Sequence, residues 1–325
     1  MSARIAFVFP GQGSQAVGMG TALAAAFPEA EAALAEAETA FAGAANAAAN
    51  GAASHVSLRA MLTDGPEEQL TLTEHAQPAL VAVSVAAARV LTAHGIEPAF
   101  VAGHSLGEYS AHVAAGTFSL ADGVSIVRRR GRYMQESVPV GTGAMAAVLG
   151  LDTALVEQAC REAADGEVVS PANLNAPGQV AIAGHTGAVA RASERARALG
   201  ARRVVPLTVS APFHCALMQP AQARLEPELR ALHTTAPRVP VVANVDAEPK
   251  RDAHASVDAL VQQVSSRVRW VEVVQRLAAE GVTHYVEVGP GNVLAGFIKR
   301  IHKDAHIVSF SSPDQLDAVR AACSS

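Results

Sequence analysis

The amino-acid sequence predicts an α/β protein in which helices cover both faces of a mostly parallel β-sheet. Three observations support this fold class. Half of the 325 residues are apolar but only 4% are aromatic, which favours packed helices over an all-β protein. Short apolar runs alternate with helical segments along most of the chain. Between residues 140 and 206 the order becomes β-α-β-β-α-β, which is the ferredoxin-like pattern.

We therefore expect a large domain, formed by residues 1–139 and 207–325, and a small ferredoxin-like domain, residues 140–206, inserted in it. The strands predicted for the large domain are 5–9, 98–102, 239–245 and 285–288. Its predicted helices are 21–41, 73–93, 108–115, 119–138, 218–232, 256–264, 271–279 and a last one from 291 to about 302. The small-residue stretch 46–54 is expected to be a surface loop without chemistry.

The small domain is predicted to begin after a flexible joint, Gly141 to Gly143. Its predicted strands are 144–149, 168–174, 179–183 and 202–209, and its predicted helices are 153–164 and 188–199.

Charge and cysteine content narrow the class of function. The formal net charge of −5 argues against bulk attraction to nucleic acid. No apolar stretch is judged long enough to span a bilayer, so we expect no membrane association and a cytoplasmic location. The cysteines, Cys160, Cys215 and Cys323, have no metal-ligand spacing. They are expected to be reduced thiols, and no metal site is predicted.

The G-x-S-x-G run at residues 103–107 follows an apolar strand and precedes a helix. This turn holds a serine hydroxyl above the edge of the sheet, as in an α/β-hydrolase-like domain. The helix N-terminus behind the turn offers unpaired N–H groups to a developing oxyanion. Ser105 is therefore the candidate nucleophile, and the alternative is a plain glycine-rich turn.

A second glycine run, residues 11–16, follows the first strand and fits G-x-G-x-x-A, the dinucleotide-binding fingerprint. The second strand with a terminal acid that this fingerprint needs is missing, because residues 28–31 lie in helical sequence. The turn still falls at the carboxyl edge of the sheet, where α/β proteins form their sites. Gln12 is therefore a candidate oxyanion donor, through its side chain or the loop N–H groups, and the alternative is a tight turn only.

A nucleophilic serine needs a base, and the chain has twelve histidines. His104 adjoins Ser105, but neighbours on such a turn point apart. His302 and His306 are spaced like metal ligands in a basic segment, and a solvated surface is the simpler interpretation. His214 follows a strand and a small-residue loop, so it falls at the carboxyl edge. No acid between Ser105 and His214 stands out as a third member of a triad.

The run Arg128-Arg129-Arg130-Gly131-Arg132 is not a nucleic-acid patch if it is helical. On a helix, Arg129 and Arg132 point away from the apolar stripe that contains Val127, while Arg128 and Arg130 flank that stripe. One of these two could hold its guanidinium in a cleft and grip a carboxylate. Helix geometry alone leaves open which one, or whether both reach solvent.

Taken together, these motifs resemble the malonyl-CoA:acyl carrier protein transacylase family. The matching stretches are F-P-G-Q-G-S-Q (9–15), G-H-S-L-G-E-Y-S-A (103–111), R-G-R-Y-M-Q (130–135), G-A-M-A-A (143–147), P-G-Q-V (177–180), P-F-H-C-A-L-M (212–218) and E-V-G-P-G (287–291). They span nearly the whole chain in the family's order, and their combination is highly specific.

The resemblance implies a role for each motif residue. Ser105 would be the acyl-accepting nucleophile and His214 its base. Gln12 and the backbone N–H of Leu106 would belong to the oxyanion hole. Arg130 would bind the malonyl carboxylate.

The resemblance assigns the remaining candidates to the substrate and to the base. Met134 would line the acyl pocket, and Asn173 and Asn175 would contact substrate. The ring of Phe213 would select malonyl by filling the space that a branched acyl group needs. The backbone carbonyl of Gln263 would orient the histidine, which would account for the missing acid.

The resemblance implies transfer of a malonyl group from malonyl-CoA to the phosphopantetheine thiol of acyl carrier protein, through a malonyl-serine, in fatty acid biosynthesis. No cofactor is expected, and the protein is expected to be a monomer. Three alternatives remain: an acyltransferase serving a polyketide synthase, a serine thioesterase or esterase, and a non-catalytic carrier-binding module. Arg130 argues against the esterase, which has no need of a carboxylate clamp, and Ser105 with His214 argues against the module.

Overall fold

The computed structural model describes residues 3–48 and 56–324. In this part of the chain there are ten strands: β1 (Ile5–Phe9), β2 (Phe100–Gly103), β3 (Gly143–Leu149), β4 (Val169–Ala176), β5 (Gln179–His185), β6 (Arg203–Pro206), β7 (Val241–Val242), β8 (Pro249–Lys250), β9 (His284–Val288) and β10 (His306–Phe310).

The first seven helices of the described residues are α1 (Thr21–Ala26), α2 (Pro28–Ala48), α3 (Leu58–Thr63), α4 (Glu67–Thr71), α5 (Thr73–Ala93), α6 (Gly107–Ala114) and α7 (Leu120–Glu136). The others are α8 (Thr153–Ala163), α9 (Thr186–Ala198), α10 (Gln219–Arg230), α11 (Ala253–Gln263), α12 (Trp270–Ala279), α13 (Val293–Ile301) and α14 (Leu316–Cys323). Short 3-10 turns occur at Ala216–Met218 and Pro313–Gln315.

The large sheet has the strand order β10-β9-β1-β2-β7-β8. All neighbouring strands in it are parallel except β7 and β8, which form an antiparallel pair. Strands β1 and β9 are buried over their whole length, as expected where helices cover both faces of a sheet. The predicted α/β fold class with a mostly parallel sheet is confirmed.

The small sheet has the order β4-β5-β3-β6 and is antiparallel throughout. Helices α8 and α9 pack together beside it, so the chain order is the predicted β-α-β-β-α-β. Its apolar core is separate from that of the large sheet and includes Val148, Val156, Ile182, Val189 and Val204.

The register of the large sheet gathers three loops at its carboxyl edge. Phe9, the last residue of β1, pairs with Gly103, the last residue of β2. Strand β7 lies on the other side of β2, with Val242 paired to Ala102. The segments that follow β1, β2 and β7 therefore lie side by side, at the edge where α/β proteins build their sites.

Helix α5 is a long apolar helix of the large core. Among the described residues it alone is long and apolar enough to cross a membrane by length and composition. This differs from our prediction that no apolar stretch is long enough to span a bilayer. In the folded chain, however, 83% of its most apolar window is buried, and it packs against α2, α6 and α7. Its apolar character is therefore accounted for by contacts within the protein.

Several elements differ from those predicted. Residues 46–48 of the expected surface loop lie in α2, and residues 49–54 fall outside the described residues. The strand predicted at 239–245 is only two residues long, because the chain turns at once into β8. The strand predicted at 202–209 ends at Pro206. Elements α3, α4, β8, β10 and α14 were not predicted.

Candidate active site

Ser105 occupies a sharp turn between β2 and α6. Its φ angle is +53°, a left-handed conformation that non-glycine residues rarely adopt. The flanking glycines are required by contact: a Cβ on Gly103 would lie 1.9 Å from the carbonyl carbon of Gly107. A Cβ on Gly107 would lie 2.0 Å from the carbonyl oxygen of Phe9. The two glycines thus allow the turn to close against the neighbouring strand, with Ser105 at its apex.

The side chains of Ser105 and His214 are in direct contact. The distance from Ser105 Oγ to His214 Nε2 is 2.6 Å, although 109 residues separate them in sequence. His214 Nδ1 lies 3.1 Å from the carbonyl oxygens of Gln263 and Ser266. Because a carbonyl only accepts, Nδ1 carries the proton, and Nε2 is left as the acceptor for the serine hydroxyl.

The environment of His214 keeps its imidazole neutral. The side chain is buried, and burial is the main cause that lowers its pKa from 6.5 to about 3. The positive charge of Arg130 and the nearby His104 lower this pKa further, against the opposing effect of the two carbonyls. A neutral imidazole that is hydrogen-bonded to a hydroxyl is arranged to act as a general base.

Arg130 lies in the site, and the two adjacent arginines do not. It is 1% exposed, and its Nη2 donates to Ser105 Oγ at 3.3 Å and to Gln263 Oε1 at 3.0 Å. Its Nη1 donates to Gln77 Oε1 at 2.9 Å. Arg128 instead donates to the carbonyl of Phe41 and stacks on that ring. Arg129 pairs with Glu228 at the surface.

The loops that contain Gln12 and Leu106 adjoin each other at the turn. Gln12 follows β1, and its side-chain amide donates to Thr73 Oγ1 at 3.3 Å. Over residues 3–48 and 56–324, the backbone N–H groups of Gln12 and Leu106 donate to no other group. The N–H of Ser105 itself is occupied, because it donates to Asn244 Oδ1 at 2.7 Å. The two unpaired N–H groups are therefore those suited to receive an oxyanion.

A cavity of about 480 Å3 opens over Ser105 and His214. Its lining comes from loops and helices of the large domain and from strands β3 and β4 of the small sheet. It includes Gln12, His104, Arg130, Met134, Met145, Asn173, Leu207 and Phe213. Asn175 does not line it; its Oδ1 bonds His104 Nε2 at 2.8 Å instead. A larger cavity of about 690 Å3, bordered by α2, α5 and the start of α7, contains none of the predicted site residues.

Three buried residues that the sequence analysis did not single out complete the site: Gln77, Glu108 and Asn244. Asn244 Nδ2 donates to the carbonyl of Gly103 at 2.7 Å, in addition to its bond with the Ser105 N–H. Glu108 is fully buried, and burial is the main cause that raises its pKa to about 7. A sequence signal for Glu108 was available, since it stands directly after G-H-S-L-G and is the one acidic residue of α6.

The geometry unites a hydroxyl nucleophile, a neutral base, two unpaired N–H groups and a fixed guanidinium around one cavity. Such an arrangement can transfer an acyl group through an acyl-serine, with a carboxylate on that group held by the guanidinium. Within the described residues, no three His, Cys, Asp or Glu side chains lie close enough together to hold a metal ion.

Comparisons with known proteins agree with this chemistry. The model of the acyl transferase domain family matches residues 6–322. The malonyl CoA-acyl carrier protein transacylase of Escherichia coli K12 is 49% identical over 316 residues, which cover 97% of this chain and 98% of that protein.

Solved structures give the same result. An acyl carrier protein S-malonyltransferase from Vibrio cholerae superimposes with a TM-score of 0.92 at 46% identity, covering 98% of this chain and all of that one. A malonyl-transacylase solved in complex with a type II polyketide synthase acyl-carrier protein gives 0.91 at 44% identity, covering 97% and 98% of the two chains. The chain therefore belongs to the acyl transferase family, among the malonyl CoA-acyl carrier protein transacylases.

Proposed function

We propose that this protein transfers the malonyl group of malonyl-CoA to the phosphopantetheine thiol of acyl carrier protein, in fatty acid biosynthesis. The observation that carries the proposal is the position of Arg130, whose Nη2 lies 3.3 Å from the nucleophile candidate Ser105. A buried guanidinium at this place matches an acyl group that ends in a carboxylate. The names of the relatives support the same substrates.

The first half-reaction loads the serine. Ser105 Oγ attacks the thioester carbonyl of malonyl-CoA while His214 Nε2 takes the hydroxyl proton. The negative charge that develops on the carbonyl oxygen is stabilised by the N–H groups of Gln12 and Leu106. The carbon–sulfur bond then breaks, and His214 returns its proton to the departing sulfur of coenzyme A. The product is malonyl-Ser105.

The second half-reaction is the reverse of the first, with a different thiol. The phosphopantetheine thiol of the carrier gives its proton to His214 Nε2 and attacks the malonyl ester. The carbon–oxygen bond of the ester breaks, and the proton on His214 passes to Ser105 Oγ. The serine is regenerated, and the carrier leaves with the malonyl thioester. The carbonyls of Gln263 and Ser266 hold the imidazole in the same orientation for both steps.

Substrate choice in this proposal depends on three residues of the cavity. Arg130 pairs with the malonyl carboxylate, and Met134 and Phe213 border the acyl chain. Asn173 is the substrate contact from the small sheet. Asn175 acts one step further away, because its side chain holds His104, which lines the cavity.

The proposed chemistry needs no cofactor. Every proton and every charge of the two half-reactions is handled by side chains and N–H groups, so the proposed enzyme uses no metal and no redox cofactor. Coenzyme A and the carrier's pantetheine arm are substrate groups.

We further propose that the protein is a cytoplasmic monomer that acts without a membrane. In this proposal the large domain is formed by residues 1–139 and 207–325 and the small domain by residues 140–206.

A second candidate is an acyltransferase of the same chemistry that serves a polyketide synthase. It is favoured by one observation, the similarity to a malonyl-transacylase solved with a type II polyketide synthase carrier. Rates of transfer to purified carriers of the two pathways separate the two candidates. A higher kcat/KM for a polyketide carrier than for a fatty acid carrier would support the second.

The proposed function is tested against a thioesterase by following malonyl-CoA with and without carrier. With holo-carrier present, the malonyl group should move to the carrier thiol within the first turnovers. Without carrier, release of malonate should be slower than this transfer by at least about a hundredfold, since water then replaces the bound thiol. Release of malonate without carrier that is as fast as transfer to the carrier would contradict a transacylase.

A further inference from the structure

Glu108 occupies a position that the transfer chemistry does not explain. It lies one turn after the nucleophile on α6 and is fully buried. Both of its side-chain hydrogen bonds fall on one oxygen: Oε2 accepts from the N–H of Asn244 at 3.0 Å and from Gln263 Nε2 at 2.9 Å. The other oxygen, Oε1, has no partner among the described residues. A buried carboxyl oxygen without a partner lowers the stability of the fold, so its presence calls for an explanation.

The two donors that meet at Glu108 are the backbone N–H of Asn244 and the side-chain amide of Gln263. The side chains of these same two residues hold the backbone of Ser105. Asn244 Oδ1 accepts from the Ser105 N–H at 2.7 Å. Gln263 Nε2 donates to the Ser105 carbonyl at 2.7 Å. The nucleophile is thus bonded on both sides of its left-handed backbone, and both bonds lead back to the same carboxyl oxygen.

Glu108 also fixes which way the Gln263 amide points. The Nε2 end of Gln263 faces two acceptors, Glu108 Oε2 and the Ser105 carbonyl, so the Oε1 end is left for Arg130 Nη2 at 3.0 Å. The backbone carbonyl of the same residue accepts from His214 Nδ1. One glutamine therefore connects nucleophile, base and guanidinium, and its orientation depends on the acceptor at Glu108.

We propose that Glu108 is a positioning residue for acyl transfer, which uses one oxygen to hold Asn244 and Gln263 against the backbone of Ser105. The inference rests on the proposed function, because it takes Ser105 as the nucleophile. What matters for this role is the position of the acceptor, not the charge of the carboxylate. Protonation at the unpartnered Oε1 leaves both bonds at Oε2 in place.

The test compares two substitutions that separate position from charge. Glu108→Gln keeps an acceptor oxygen at the place of Oε2 and removes the charge. Glu108→Asp keeps the charge and withdraws the acceptor by one methylene. The rate of formation of malonyl-enzyme in a single turnover should stay within about threefold for Glu108→Gln. It should fall about ten- to hundredfold for Glu108→Asp, because the nucleophile is no longer held in place.

Glu287 provides the matched control. It is also a fully buried glutamate with a raised pKa caused by burial, and it accepts from the N–H groups of Leu294 and Ala295. None of its hydrogen bonds involves the residues of the site. Glu287→Gln and Glu287→Asp should change the melting temperature by amounts similar to the Glu108 pair and leave the rate per folded molecule within about twofold.

Three outcomes would overturn the inference. In one, Glu108→Asp keeps the wild-type rate. In another, Glu108→Gln loses more than about tenfold at an unchanged melting temperature, which would make the charge the active property. In the third, the Glu108 and Glu287 variants lose rate in parallel, which would make the role structural. Failure of the proposed function is distinguishable from all three, because the wild-type protein itself would then form no malonyl-enzyme.

Discussion

The Nη2 atom of Arg130 lies 3.3 Å from Ser105 Oγ, so a fixed positive charge stands beside the hydroxyl that we propose as the nucleophile. Two glutamines, Gln77 and Gln263, hold the guanidinium in that place from opposite elements, α5 and α11. Both glutamines are neutral and accept only through their amide oxygens. The charge of Arg130 is therefore left uncompensated by its direct partners and is available to an anionic acyl group.

Arg130→Ala should change the selectivity for the acyl group. Malonyl loses a charge-assisted contact worth about 1.5–3 kcal/mol, which is roughly ten- to hundredfold in transfer rate. Acetyl has no carboxylate and never had this partner, so the ratio of malonyl to acetyl transfer should fall by that factor. The ratio is measured by competing the two coenzyme A esters in one reaction.

Arg129→Ala is the control for that experiment, because Arg129 pairs with Glu228 at the surface. It should leave the ratio unchanged. An Arg130→Ala variant in which malonyl and acetyl transfer fall equally would mean that the residue supports the structure of the site and not the choice of substrate.

The rate of acylation should not show the ordinary titration of a histidine. Because the pKa of His214 is lowered to about 3, its imidazole stays neutral from pH 8 down to about pH 5. Single-turnover formation of malonyl-enzyme should therefore be nearly constant over this range. A fall centred near pH 6.5, the ordinary pKa of histidine, would contradict a buried neutral base.

The lowered pKa of His214 also predicts how the free energy of unfolding changes with pH. Between pH 6.5 and pH 3 the unfolded chain binds a proton at His214 that the folded chain does not, so this group lowers the free energy of unfolding as the pH falls. Above pH 6.5 the imidazole is neutral in both the folded and the unfolded chain, so His214 causes no such loss there. Urea unfolding of His214→Gln should show a shallower loss between pH 6.5 and pH 4.5 than the wild-type protein does, and an equal slope would contradict the shift.

Phe213→Ser should increase the use of branched acyl groups. The ring is half-buried and borders the cavity together with Met134. We expect it to fill space that an α-methyl group would need. A packed pocket resists one added methyl by about 1–3 kcal/mol, so methylmalonyl transfer should rise about tenfold relative to malonyl. Competition between the two esters measures this ratio. If both rates fall and the ratio stays constant, the ring only supports the loop.

Gly107→Ala should disrupt the turn that presents Ser105. The added Cβ would lie 2.0 Å from the carbonyl oxygen of Phe9, a backbone atom that cannot move aside alone. The free energy of unfolding should fall by about 3 kcal/mol or more.

Gly296→Ala is the control, because its Cβ would meet nothing within 4 Å on α13. It should raise the free energy of unfolding by about 0.5–1 kcal/mol, as expected for alanine in a helix. Urea denaturation measures both, and equal effects would contradict the close contact.

The sequence was sufficient for the fold class because its elements carry strong local patterns. The apolar runs of β1 and β9 and the periodic helices around them were recognisable without tertiary information. Strand β10 was not, since it starts at His306, directly after a basic segment, and is only partly buried over most of its length. It is a strand because β9 offers it an edge to pair with.

The site shows the same division between local pattern and tertiary contact. Five consecutive residues specify the turn that carries Ser105, so the turn was predictable. Gln77 and Asn244 were not, because their partners Arg130 and Ser105 lie 53 and 139 residues away and no local motif marks them. Helix periodicity placed Arg128 and Arg130 beside the same apolar stripe. Tertiary contacts separate the two, because Phe41 packs under Arg128 while Gln77 binds Arg130.

The most direct test of the account is the intact mass of the protein after brief mixing with malonyl-CoA. The wild-type protein should gain the mass of one malonyl group, peptide mapping should locate it on Ser105, and addition of holo-carrier should remove it. Ser105→Ala should fold normally and gain nothing, because it removes the hydroxyl that is hydrogen-bonded to His214 Nε2. A malonyl adduct on another residue, or an unmodified wild-type protein that still transfers malonyl to the carrier, would contradict the account.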